Sequence, residues 1–165
     1  MSVFSISKTS YINFIIILSI FILDRLVKLY VIYQDKINSG NEIFSSKFLN
    51  IYLIWNEGIA FGIFSFNENN LYNLLTLFIL IIIFVILYMV SKSNGFKKYS
   101  LLMILGGALG NVFDRIIYKA VPDFIDFHIG NFHWFIFNFA DIFISIGVIF
   151  LIILEFTVIN KNNKI

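Results

Sequence analysis

The chain of 165 residues has no cysteine and one proline, and only 13% of its residues are charged. The absence of cysteine excludes disulfides, cysteine-bound metal sites and thiol nucleophiles. A soluble domain carries about 25% charged residues, whereas 59% of this chain is hydrophobic. The composition therefore indicates an integral membrane protein with a single membrane domain over residues 1–165. The net charge of +2 is too small to argue for a nucleic-acid partner.

Four apolar segments are long enough to cross a bilayer, which takes about 20 residues per helix. We expect an all-α membrane protein with four transmembrane helices at about residues 10–33, 71–90, 99–118 and 135–159. The first is interpreted as an uncleaved helix, because Asp24-Arg25 and more apolar residues follow it instead of a small-residue cleavage site. The second carries no charge within its span and is expected to face lipid.

The two long connections, at about residues 34–70 and 119–134, are expected on the same side of the membrane. Basic residues divide equally between the two sides, but the short loop at 91–98 holds three of the lysines. The positive-inside rule then assigns this loop and both termini to the cytoplasm. Residues 48–55 are rich in β-branched and aromatic side chains, so we expect a small extracytoplasmic β element between helices 1 and 2.

Polar residues recur at the predicted outer ends of the helices. Asp24 and Lys28 are four residues apart, a spacing that predicts a salt bridge on one helix face. In the third segment, Gly106 and Gly110 are spaced for close helix packing. Asp114 follows on the adjacent face and is expected to support a site rather than to perform its chemistry.

Asp141 lies at the mouth of the fourth segment, one turn after Asn138. A charged residue inside a membrane helix is costly, so it is a functional candidate. Either Asp123, which follows Pro122, or Asp126 could be a second carboxylate, and spacing does not choose between them. Paired carboxylates that share a proton are the catalytic groups of aspartic proteases. The structural alternatives are a helix-start carboxylate favoured by the helix dipole and an aspartate in a turn.

Two histidines, His128 and His133, lie in the same outer stretch. A catalytic zinc site has about three protein ligands, and an aspartate could complete such a set. The interpretation that we favour is a pair of interfacial histidines, with no metal site.

Together these residues resemble the lipoprotein signal peptidases, the bacterial type II signal peptidases. Five motifs carry the resemblance: Asp24-x-x-x-Lys28, Asn56-x-Gly58-x-Ala60-Phe61-Gly62, the run from Gly106 to Asp114-Arg115, Asp123-Phe124, and Phe137-Asn138-x-Ala140-Asp141. The resemblance implies that Asp123 and Asp141 are catalytic. It implies supporting or substrate-binding roles for Asn56, Gly58, Phe61, Asn111, Asp114, Arg115, Asn138, Asp24 and Lys28. Pro122 departs from the family, which commonly has a small apolar residue there.

The resemblance further implies an aspartic endopeptidase that cleaves signal peptides from diacylglyceryl-modified prolipoproteins before the lipidated cysteine. It implies a location in the bacterial inner membrane with the active site at the extracytoplasmic face. The expected partners are lipidated substrates and membrane lipid, with no cofactor, for a monomeric enzyme. The alternative from another class is a non-enzymatic proton or ion pathway. The titratable residues cluster at one face rather than through all spans, which argues against it.

Overall fold

The computed structural model describes residues 8–58 and 69–162, and in these ranges the chain forms four long helices and a four-stranded sheet. The helices are α1 (Lys8–Ile37), α2 (Asn69–Lys92), α3 (Gly95–Tyr118) and α4 (Phe139–Asn162). The strands are β1 (Phe44–Ser45), β2 (Leu49–Asn56), β3 (Val121–Ile129) and β4 (Phe132–Phe137).

Among the described residues, three helices are long and apolar enough to cross a membrane: Tyr72–Lys92, Gly95–Tyr118 and Phe139–Thr157. They correspond to the second, third and fourth predicted spans. The apolar stretches of α2 and α4 are only 11% buried inside the protein, whereas that of α3 is 67% buried. The helix α3 therefore forms the centre of the bundle, and α2 and α4 present most of their apolar surface outward.

Two glycines of α3 lie where its neighbours approach most closely. A Cβ atom on Gly107 would lie 2.5 Å from the carbonyl oxygen of Ala140 in α4, and one on Gly110 would lie 2.5 Å from Oδ2 of Asp24 in α1. Neither distance leaves room for a methyl group. The close packing predicted at Gly110 is thus confirmed, and it brings the polar residues of α1, α3 and α4 together at one end of the bundle.

The sheet has the strand order β1-β2-β3-β4, and every neighbouring pair is antiparallel. This corrects the expectation of a β element confined to the connection between helices 1 and 2. Half of the sheet comes from the connection between α3 and α4. The strands β3 and β4 are joined by the two-residue turn Gly130-Asn131, in which Gly130 has φ of +60°. A positive φ at this position favours glycine in a tight hairpin.

The same hairpin explains why α4 begins at Phe139 and not near residue 135, where the fourth span was expected to start. Ile136 and Phe137 pair with Asp126 and Ile125 of β3. Their backbone groups are therefore used by the sheet, and the helix starts two residues after that pairing ends. Asp141 consequently lies in the first turn of α4.

Candidate active site

The start of α4 is closed by a reciprocal pair of hydrogen bonds. The backbone N–H of Asp141 donates to Oδ1 of Asn138 at 3.2 Å, and the backbone N–H of Asn138 donates to Oδ2 of Asp141 at 3.1 Å. This is the capping-box arrangement, with Asp in the place usually taken by Glu or Gln. The pattern Asn-x-x-Asp therefore both starts the helix and fixes the Asp141 carboxylate, at an end where the helix dipole favours negative charge.

Asn138 also binds the second candidate carboxylate. Its Nδ2 donates to Oδ1 of Asp123 in β3 at 2.6 Å, and Nδ2 of Asn56 in β2 donates to the other oxygen of Asp123 at 2.8 Å. Asp123 is only 3% exposed. Since Asn138 is bonded to both Asp123 and Asp141, the structure brings these two carboxylates to a single site.

Asp126 belongs to a different environment. Side chains alternate between the two faces of a strand, so Asp123 and Asp126, three residues apart on β3, point to opposite faces. Asp126 is fully buried, and its Oδ2 lies 2.8 Å from Nδ1 of His133. The choice between Asp123 and Asp126 that spacing left open is therefore decided geometrically in favour of Asp123 as the neighbour of Asp141.

A layer of ionic contacts lies behind the pair, and Asn111 connects the two. Its Nδ2 donates to Oδ1 of Asp141, and its Oδ1 accepts from Nζ of Lys28, each at 2.8 Å. Nζ of Lys28 also lies 2.7 Å from Asp114 and 3.0 Å from Asp24, which confirms the predicted Asp24–Lys28 salt bridge. An ammonium group has three donors, so this buried lysine has an acceptor for each of them.

Arg25 is a residue of this layer that the sequence prediction did not include. Its two terminal nitrogens bind both oxygens of Asp114, and one of them lies 3.0 Å from Asp24. A bidentate arginine–carboxylate pair is among the stronger ionic contacts in proteins. The signal that could have identified Arg25 is charge balance, because two buried carboxylates, Asp24 and Asp114, need two cations. Oδ1 of Asp24 also accepts from the backbone N–H of Ala140, so this layer holds the start of α4 as well.

Arg115 is 5% exposed, and its hydrogen bonds within the described part of the chain go to backbone oxygens. It donates to the carbonyl of Asn111 at 3.3 Å and to that of Gly58 at 3.2 Å. The backbone N–H of Gly58 in turn donates to Asn56. Arg115 thus links α3 to the segment that follows β2. Phe61, also predicted to support the site, lies outside the described residues, as do Ala60 and Gly62.

Burial governs the electrostatics of Asp123. The loss of water contact, and after it the charge of the nearby Asp141 carboxylate, raise the pKa of its carboxyl group to about 6. Hydrogen bonds from Asn56 and Asn138, and the charge of Lys28, act in the opposite direction. Because like charges at close range cannot both ionise easily, the arrangement favours one protonated and one ionised carboxyl group.

Asp141 lines two apolar grooves formed by described residues. One has a volume of about 590 Å³, with Asp141, Asn111 and Arg115 among its polar residues and apolar side chains of α2, α3 and α4 along its walls. The other has a volume of about 450 Å³ and lies between α4 and aromatic residues that include Trp134 and Phe137. The helix α2, expected only to face lipid, contributes one wall of the larger groove. An apolar chain lying in either groove would pass beside a carboxylate.

Comparison with known proteins gives a consistent result. Residues 16–157 match the family model described as signal peptidase (SPase) II. The lipoprotein signal peptidase of Pelagibacter ubique is 49% identical over 157 residues, which cover 95% of each chain. That of Anaplasma marginale is 40% identical, over 90% of this chain and 86% of its own.

Two solved structures of bacterial membrane enzymes, both determined by the in meso method, have the same fold. One, at 2.3 Å resolution, superposes with a TM-score of 0.68 at 31% identity, over 88% of this chain and 87% of its own. The other, at 1.9 Å resolution, gives a TM-score of 0.66 at 32% identity, over 87% and 91% of the two chains.

Proposed function

This chain belongs to the signal peptidase II family, and from that premise we propose that it removes signal peptides from lipid-modified prolipoproteins by aspartic catalysis at Asp123 and Asp141. The observation that carries the assignment is the position of Asn138, which is hydrogen-bonded to both carboxylates. Aspartic proteolysis requires two carboxyl groups at one site, one protonated and one ionised.

The proposed roles follow from the surroundings of each group. Asp141 lies at the N-terminus of α4 and accepts from Asn111 and Asn138, contacts that stabilise a carboxylate. It takes a proton from a water molecule, whose oxygen attacks the scissile carbonyl carbon. Asp123, whose pKa burial raises to about 6, donates its proton to the carbonyl oxygen. The proton held by Asp141 then passes to the leaving amine as the C–N bond breaks, and Asp123 takes back a proton from the hydroxyl group that becomes the new carbonyl.

The larger groove is proposed to receive the signal peptide. A signal peptide is an apolar helix, and α2 supplies apolar side chains along one wall, among them Leu75, Phe78, Ile79 and Ile82. Helix packing of this kind needs shape complementarity rather than charge. The polar end of the same groove holds Asp141 and Arg115, so a docked helix would end beside the carboxylates.

We further propose that α1 is a fourth span and that the protein acts as a monomer in the inner membrane. With 30 residues, α1 extends about 45 Å at 1.5 Å per residue, which exceeds the bilayer core of about 30 Å. Its outer end holds the ionic layer against α3 and α4. Both termini would then be cytoplasmic, and the two aspartates would lie at the extracytoplasmic face, where exported prolipoproteins arrive.

The assignment is tested with Asp123→Asn and Asp141→Asn in the full chain, reconstituted in nanodiscs with a diacylglyceryl-modified prolipoprotein substrate. Each variant keeps the size of the side chain and removes its titration, so each should lower cleavage at least about 100-fold, the contribution expected of a general acid or base. Asp126→Asn is the matched control, since it alters a buried aspartate of the same strand. Asp126→Asn should lower cleavage much less than either of the other two substitutions.

Thermal unfolding of each variant verifies that it is folded. Full activity in Asp123→Asn would refute the carboxylate pair. A proton or ion pathway predicts the opposite pattern in proteoliposomes: proton flux that depends on Asp141, and no substrate cleavage by the unmodified chain.

A further inference from the structure

The β3–β4 hairpin carries three potential metal ligands on the face of the sheet that points away from Asp123. They are Asp126, His128 and His133, and one ligand atom from each lies within 4.8 Å of the other two. None of the three takes part in the carboxylate pair or in the ionic layer behind it. This cluster therefore needs an explanation of its own.

The strand pairing assembles the cluster. His128 and His133 are direct partners across the hairpin, and their rings stack with centroids 5.1 Å apart. Asp126 is two residues before His128 and therefore lies on the same face of β3. The pairing of β3 with β4 shifts register between Asp126 and His128. This shift places the Asp126 carboxylate beside the ring of His133, its diagonal neighbour across the hairpin. Nδ1 of His133 lies 3.0 Å and 2.8 Å from the two carboxylate oxygens.

Two features of the cluster are unsatisfied or costly without a further partner. Nδ1 of His128 is buried and has no hydrogen-bond partner within residues 8–58 and 69–162, and a buried polar atom without a partner destabilises the folded state. Asp126 is a fully buried carboxylate. It accepts a hydrogen bond from Tyr52, but its only ion-pair partner among the described residues is the ring of His133, which is cationic only when protonated. A cation bound by both groups would remove both costs. The side chain of His133 is 51% exposed, so an ion could enter from solvent.

We propose that Asp126, His128 and His133 bind one divalent transition-metal ion of the zinc type, through a carboxylate oxygen and the two Nδ1 atoms, with water completing the coordination. Zinc accepts two imidazoles and a carboxylate at about 2.0–2.2 Å. Tetrahedral ligands at that length are about 3.3–3.5 Å apart, by the geometry of those bonds. The His133–Asp126 pair must therefore open by a few tenths of an ångström, and His128 must move inward.

On binding, the Nδ1 proton of His133 is displaced and the ring carries its proton on Nε2 instead, because only a deprotonated nitrogen coordinates a metal. Imidazole ligands favour zinc, copper or nickel over magnesium or calcium, which prefer oxygen. The site is independent of the proposed protease function. Its structural consequence is a clamp across the hairpin, on the strand that carries Asp123 at its other end. This proposal replaces the expectation of two interfacial histidines without a ligand.

The experiment uses the full chain without a polyhistidine tag, in nanodiscs, titrated with Zn²⁺ against a chromophoric competing chelator. One equivalent should bind, and a tenfold excess of Mg²⁺ should leave the affinity unchanged. His128→Ala, His133→Ala and Asp126→Asn should each weaken Zn²⁺ binding at least about tenfold, since loss of even an outer-shell partner costs 10–100-fold. Asp123→Asn, on the other face of the strand, should bind Zn²⁺ as the unmodified chain does.

A measurement on the unmodified chain keeps the proposal testable if a variant fails to fold. The chain has only two histidines, so a sample labelled with ¹⁵N-histidine contains only two imidazole rings. One equivalent of Zn²⁺ should shift the Nδ1 resonances of both. No Zn²⁺ binding, binding that survives the loss of both histidines, binding lost in Asp123→Asn, or unshifted Nδ1 resonances would each overturn the proposal.

Discussion

Asn138 uses three of its polar groups at the junction of β4 and α4. Its side-chain nitrogen binds Asp123, its side-chain oxygen caps α4, and its backbone N–H binds Asp141. An aspartate at this position could accept the helix N–H but could not donate to Asp123, and a serine would be too short to do both. The amide is therefore required by the geometry, since one side of the residue must donate and the other must accept.

The pH dependence of cleavage tests the role of Asp123. If Asp123 supplies the proton, kcat/KM should fall as pH rises through the pKa of about 6, because the ionised carboxyl group cannot donate. Asn56→Ala removes a donor that stabilises the ionised form. The pKa of Asp123 should then rise, and the alkaline limb of the pH profile should move to higher pH. The measurement is kcat/KM between pH 5 and 9.

Asn50→Ala is the matched control for this shift, because Asn50 lies on the same strand and its side chain binds Ser45 instead. Its profile should coincide with that of the unmodified chain. A kcat/KM that rises through pH 6 and then stays level would mean that Asp123 acts in its ionised form, which contradicts the assigned roles.

Sequence reasoning reached some of these residues and not others for physical reasons. Asn138 and Asp141 are one helical turn apart, so local periodicity was enough to associate them. The choice between Asp123 and Asp126 depends on which face of β3 each occupies. That depends on how β3 pairs with β2, which is distant in sequence, and with β4, which is joined to β3 by a turn. Arg25 was missed because its partner Asp114 is 89 residues away.

At the scale of elements, the capping box of α4 joins helix formation to the geometry of the site. Asn138→Ala should destabilise the folded protein by about 1 kcal/mol through loss of the cap. It should also lower kcat, since it frees both aspartates. Asn94→Ala is the matched control, because Asn94 occupies the N-cap of α3 with no side-chain capping bond. Asn94→Ala should change neither the stability of the folded protein nor kcat. Thermal unfolding and single-turnover cleavage measure the two effects separately.

Equal destabilisation by the two substitutions would contradict a specific cap at Asn138. Asn138→Ser adds a further discrimination, because serine can cap the helix and cannot reach Asp123. It should restore stability more than it restores cleavage. Recovery of both to the level of the unmodified chain would show that the contact between Asn138 and Asp123 has no role in the reaction.

The helices were predictable from sequence and half of the sheet was not. Long apolar segments specify helices by themselves, and the bounds of α2 and α3 differ from the expected spans by a few residues. The strand β3 contains Pro122 and carries acidic residues on both faces, so it lacks the alternation that identifies a strand. Its pairing with β2 holds these residues in a strand instead: Pro122 lies opposite Trp55, and Asp123 lies opposite Ile54. A strand specified by its neighbours cannot be read from its own residues.

At the scale of the whole molecule, the charged residues of the ionic layer lie at one end of the helix bundle. The charges of buried Asp24, Lys28 and Asp114 and of part-buried Arg25 sum to zero, and these residues lie together at the end nearest the sheet. Removing one member of a buried ionic group costs roughly 3–5 kcal/mol, because its partner is left unpaired. A buried ionic layer of this kind adds little net stability, but its contacts specify how the helices are arranged. It fixes α1 against α3 and, through Ala140, against the start of α4.

The orientation of the molecule in the membrane is the last prediction. The helix α3 has 24 residues, about 36 Å at 1.5 Å per residue, so Ser93 and the sheet should lie on opposite sides of a bilayer core of about 30 Å. The lysines near Ser93 favour the cytoplasm. The chain has no cysteine, so Ser46→Cys and Ser93→Cys each introduce a single reactive thiol. In intact cells, an impermeant thiol reagent should label Ser46→Cys and not Ser93→Cys.

Disruption of the membrane is the control, because both thiols should then react. That result would show that the lack of labelling of Ser93→Cys in intact cells is not caused by burial of the thiol in the protein. The reverse pattern in intact cells would turn Asp123 and Asp141 toward the cytoplasm. Exported prolipoproteins carry their lipid and their cleavage site at the outer face, so the carboxylate pair could not then meet its proposed substrate. The labelling experiment therefore tests the location of the site independently of any substitution in it.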